Sequence, residues 1–78
     1  MTLNQLRVGQ AGRVLSVAPD SPSATLLAAL GLLPGTRVLI ERLAPLGDPI
    51  SIRFNGQEFS LRRQDAREVV VQREGPER

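Results

Sequence analysis

The 78-residue chain contains no cysteine, no histidine, no lysine, no tryptophan and no tyrosine. Without cysteine there is no disulfide framework and no thiolate metal site, which fits a reducing compartment. Without histidine, cysteine or lysine, the usual nucleophile–base pairs, imidazole metal ligands and Schiff-base amines are also excluded. The groups left for chemistry are eight carboxylates and ten arginines. Asp48 and Asp65 are the pair that could share a water or a hard cation, but carboxylates on turns ordinarily cap backbone or face solvent. The expectation is a non-enzyme with no catalytic residue, no cofactor and no metal ligand.

The near-absence of aromatics bears on nucleic acid. Small barrels that bind single strands use exposed aromatic rings as stacking platforms, and here there are only Phe54 and Phe59. The sequence pI of about 11.0 points the other way. It reflects ten arginines that stay protonated to very high pH, while the formal net charge is only +2. Arg62, Arg63 and Arg67 form a local basic cluster, balanced by Asp65 and Glu68 into an ordinary solvated face. No stretch approaches the roughly 20 apolar residues that a transmembrane helix needs. The N-terminus, MTLNQLRVGQ, has neither the basic start nor the apolar run of a signal peptide. A soluble cytoplasmic protein is expected.

What the chain does contain is punctuation and alternation. Thr2 to Leu6 reads as a short turn that places Leu3 and Leu6 on the core. A strand spans Gly12 to Ala18. Ser21 is a good N-cap and Pro22 suits the first position of a helix running to Leu30. Leu26, Leu27 and Leu30 form its apolar stripe, Gly31 suits the left-handed position after it, Leu32 and Leu33 continue onto the core, and Pro34-Gly35 suits a type II turn. From Thr36 the period changes to 2, with strands over 36–43 and 50–54. Asn55-Gly56 is the strongest hairpin signal. It pairs Phe54 with Gln57, Arg53 with Glu58, Ile52 with Phe59, Ser51 with Ser60 and Ile50 with Leu61. One face is then Ile50, Ile52, Phe59 and Leu61, with Phe54 partly buried at the turn. A helical turn over 63–66 and a strand over 68–72 complete one domain, residues 1–72, followed by a disordered tail, 73–78. Five short strands with one short helix between the first two close most economically as a small SH3-like barrel.

The densest punctuation lies in APLGDP, 44–49. Each proline keeps the residue before it extended, Gly47 permits a tight reversal, and the Asp48 side chain can bond backbone amides nearby. Such a stiffened loop can display Leu46, Gly47 and Asp48 to a partner at low ordering cost. The exposed side of the helix and the turn at Leu32 and Leu33, where so thin a core leaves some leucine surface uncovered, form a second candidate surface, open to a partner or a second copy.

The segments LxxLxxGQxGRV (3–14), LLAALGLLPGTRV (26–38), APLGDPISI (44–52) and FSLRRQDAREVVV (59–71), in this order, resemble the FeoA family. The family carries basic residues at the start of the helix, where this chain has Ser23, Ala24 and Thr25. The resemblance implies a cytoplasmic SH3-like accessory protein of ferrous-iron uptake. It also implies a protein partner, the FeoB permease with its cytoplasmic GTPase domain, and transition-metal binding as a property of the family. Similar domains at the C-terminus of iron-dependent repressors make a nucleic-acid-binding or transcriptional-regulator interaction module the alternative.

Overall fold

The hairpin expected around Asn55-Gly56 is the simplest place to see the sequence become structure. In the computed structural model, which describes residues 1–75, Asn55 and Gly56 both take positive φ, 51° and 75°. That twist suits a two-residue hairpin loop. It joins β3 (Ile50–Phe54) to β4 (Gln57–Leu61), and all five cross-strand pairs occur in the expected register.

The other strands are β1 (Ala11–Val17), β2 (Arg37–Leu43) and β5 (Val69–Arg73). They complete a five-stranded antiparallel sheet ordered β4-β3-β2-β1-β5, the expected SH3-like architecture. Register shifts between Val14 and Ser16, and between Ile40 and Arg42, mark the irregularities at which such a sheet bends. The N-terminal residues extend it further. Val71 N–H donates to the Met1 carbonyl at 2.8 Å, and Thr2 bridges Val70, so the outer edge of β5 is partly covered.

Helix α1 (Pro22–Ala29) links β1 to β2, with Ser21 Oγ accepting from Ser23 N–H at 3.3 Å. Gly31 follows at φ 102°, and Leu32 N–H reaches back to the Leu27 carbonyl at 2.9 Å, closing the helix as expected. Gly35 takes φ 94° in the Pro-Gly turn. The single turn α2 (Arg63–Ala66) occupies the residues assigned to it. Leu3 and Leu6 sit in the core, in and just after a 3₁₀ turn over Leu3–Gln5.

Four expectations need correction. Leu26 does not join a three-leucine stripe: it is half exposed, and the helix buries only Ala24 and Leu27. Successive residues of a helix lie about 100° apart, and a helix of two turns on so small a sheet presents one narrow seam. Leu33 likewise faces out, whereas Leu32 is fully buried.

The two phenylalanines exchange places. Phe54 is buried because the hairpin tip is tied to the end of α1, Gln57 Nε2 donating to the Leu30 carbonyl at 3.0 Å and Asn55 Nδ2 to the Gly31 carbonyl at 3.2 Å. Phe59 lies on edge strand β4 and is only partly buried against the core. Finally, Arg73 belongs to β5, and Glu74 N–H donates to the Ala11 carbonyl at 2.9 Å, so the strand outlasts the point where a disordered tail was expected. Residues 76–78 of that tail lie outside the described residues.

Candidate partner-binding site

The loop between β2 and β3 is built to hold one shape. Gly47 N–H donates to the Ala44 carbonyl at 2.7 Å, closing a turn with Pro45 at its second position. Gly47 then takes φ 86°, a conformation that favours glycine. Ala44 N–H donates to the Pro49 carbonyl at 3.1 Å, which pins the two ends together. The Asp48–Pro49 peptide bond is cis.

Arg63 anchors this loop from across the molecule. Its Nε donates to the Gly47 carbonyl at 2.7 Å, and its Nη1 to the Asn4 carbonyl at 3.3 Å. In return, Asp48 Oδ1 accepts from Arg63 N–H at 3.0 Å. That last bond serves α2, whose N-cap residue, Arg62, makes no side-chain capping bond of its own. The expectation is that Asp48 bonds backbone amides nearby; it does accept from a backbone amide, but one fifteen positions away that only the folded sheet brings to it.

The loop's tip is Leu46, 97 % exposed. Scattered apolar residues on a surface are ordinary, but a leucine this bare on a loop this constrained is a preorganised apolar knob. Gly47 and Asp48 lie beside it, both occupied in holding the loop. The other candidate pair divides: Leu32 is core and cannot touch a partner in this fold, while Leu33 is half exposed. Leu33 and Pro34 help to line an open, mainly apolar groove of about 380 Å³ between β1 and α1, together with Val17, Ala24 and Ala28.

Sequence reasoning missed Arg63. It stood in a basic cluster assigned to solvent, and nothing local distinguishes it from Arg62. The contact depends on how the sheet closes, so the nearest available signal was Asp48 itself, a capping residue with no helix beginning beside it.

The geometry also bears on other chemistry. Among the described residues no three of His, Cys, Asp or Glu converge on a point that could hold a metal ion. The donor set of this chain, lacking imidazole and thiolate, does not fit a zinc or tight ferrous-iron centre. With Phe54 buried and Phe59 packed on the core, there is no exposed aromatic platform for stacked bases among the described residues. No helix among the described residues is long and apolar enough to cross a membrane.

The chain is a small SH3-like barrel, and its most exposed large apolar side chain, Leu46, stands on a loop held in one shape. A family model for the FeoA domain matches residues 1–73. The chain belongs to the FeoA family. Its structure is similar to that of the FeoA protein from Chlorobium tepidum, with a TM-score of 0.86 and 38 % identity over 92 % of this chain and 69 % of the other. It is also similar to FeoA from Stenotrophomonas maltophilia, with a TM-score of 0.83 and 30 % identity over 95 % of each chain. That protein, crystallised with zinc, is described as an SH3-domain protein and a candidate activating factor of bacterial ferrous-iron transport. A manganese-dependent transcriptional repressor aligns over 94 % of this chain and 36 % of its own, with a TM-score of 0.82. At 20 % identity that likeness shows the fold alone.

Proposed function

We propose that this chain is a non-catalytic accessory protein of ferrous-iron uptake that binds the cytoplasmic region of a FeoB-type permease, with Leu46 as the anchoring side chain. The observation that carries the reading is the 97 % exposure of Leu46 on a loop fixed by Arg63 and Asp48. A partner that buries Leu46 gains the transfer of its apolar surface and does not have to order the loop. Leu33 and the groove beside it form a secondary contact. Family membership and the described role of the Stenotrophomonas protein support an accessory role in iron transport.

The test is calorimetric titration of the permease with wild-type protein and with Leu46→Ala. Truncating a buried anchor costs about 1–2 kcal/mol or more, a loss of roughly fivefold to thirtyfold in affinity. The stability of the free variant should move by no more than about 0.5 kcal/mol, because Leu46 is on the surface. Unchanged affinity for the intact permease would remove the loop from the interface.

A further inference from the structure

The outer face of the sheet carries a second feature, at the end of β2 away from the Leu46 loop. Arg37 begins the strand and the loop follows Leu43, six residues or about 20 Å along it. Arg37 stands directly opposite Arg13 of β1. Like charges in that relation destabilise a sheet, and elsewhere the same sheet sets opposite charges face to face, as in Arg53 and Glu58. Among the described residues, Arg13 and Arg37 are the only like-charged pair directly opposite in the strand register.

The repulsion is relieved by a carboxylate brought from beyond the end of β5. Glu74 Oε2 lies 3.0 Å from Arg13 Nε, and Glu74 Oε1 lies 2.6 Å from Arg37 Nε. One carboxylate therefore bridges two arginines, one charge-assisted contact from each oxygen. Among the described residues Glu74 is the only ion partner of Arg37. Arg13 is steadied by a bond from Nη1 to the Gly35 carbonyl at 2.8 Å. Both arginine side chains remain more than half exposed, at 56 % and 57 %, while the Glu74 side chain is 27 % exposed. Beside them lies an open hollow of about 400 Å³, with Gly9, Gln10 and Arg73 in its wall.

We infer that Arg13 and Arg37 form a carboxylate seat for an acidic segment of a protein partner, with Glu74 as its internal occupant. A side chain tethered two strands away competes at high effective concentration, so the seat admits an external carboxylate only by displacing Glu74. The seat lies on a different part of the sheet from the Leu46 knob and stands whether or not a permease is the partner. A carboxylate ligand is favoured over a phosphate because the seat has the form that the chain's own carboxylate fills, one Nε–H for each oxygen.

The experiment is an NMR titration of isotope-labelled protein with a hexaglutamate peptide, reading the arginine Nε–H signals and the amides of residues 72–75. The wild type should show movement of the Arg13 and Arg37 Nε–H signals. Glu74→Gln should bind roughly fivefold tighter, about the factor that one exposed ion pair can contribute. Adding Arg37→Gln to Glu74→Gln should abolish that gain. Glu68→Gln makes the same change in net charge elsewhere and should bind like the wild type. Equal tightening in Glu68→Gln and Glu74→Gln would reduce the effect to net charge and overturn the seat. Tighter binding of an equally charged oligonucleotide to the same signals would overturn the choice of carboxylate.

Discussion

At the level of single residues, Asp48 and Arg63 hold the geometry of the Leu46 loop. The Asp48 carboxylate accepts the first N–H of α2, and the Arg63 guanidinium holds the Gly47 carbonyl and reaches the N-terminal turn. Loop, helix and N-terminus are thereby tied at one point. Asp48→Ala removes the only side-chain cap on α2 among the described residues and should cost about 1 kcal/mol. For a domain of this size that lowers Tm by roughly 4–8 °C. Asp48→Asn keeps an acceptor oxygen and should lose less than half as much. Thermal unfolding of the two variants decides the matter, and equal losses would mean that charge, not the hydrogen bond, carries the effect. None of this geometry was legible in the sequence beyond the capping character of Asp48, since the partners are fifteen residues apart and meet only after the sheet has folded.

Among the elements, the β3–β4 hairpin was the most legible, because its turn, its alternation and its charge pairing independently select one register. Its polar face proved more connected than pairwise reading implies. Ser51 Oγ donates to the Glu58 carboxylate, which also meets Arg42 at 2.7 Å and Arg53 at 3.9 Å. The hydrogen bond from Ser51, followed by the charges of Arg42 and Arg53, outweighs desolvation and holds the Glu58 carboxyl below its ordinary value of 4.5. A carboxyl lowered by folding contributes stability above its unfolded value, and that contribution is lost as pH falls through the folded one. The Tm difference between wild type and Glu58→Gln should therefore be largest above about pH 5 and shrink on acidification below 4.5. A pH-independent difference would contradict the ionic role of Glu58. The helix was less legible than the hairpin. Its caps and bounds are local and were read correctly to within a residue, but which leucines it buries depends on the width of the sheet beneath it, so Leu26 and Leu33 were misplaced.

Taken whole, the molecule is a small barrel, and the interest lies in what it leaves outside. The core takes Phe54 and Leu32, while Leu46 stands bare and Arg13 and Arg37 hold a carboxylate between them. Fold class was accessible from alternation, turn signals and the family-like segments because these are properties of neighbours in sequence. The covering of β5 by the N-terminus, the exchange of the two phenylalanines and the role of Glu74 are properties of closure, and no local pattern encodes them. The central claim is that the Leu46 loop is the contact with a permease. The most direct measurement is an amide chemical-shift titration of this protein with the cytoplasmic region of a FeoB permease, in each nucleotide state. The account predicts shifts centred on residues 45–48, with a weaker set around Leu33, and their loss in Leu46→Ala. Shifts confined to other faces, or none at saturating partner, would contradict it.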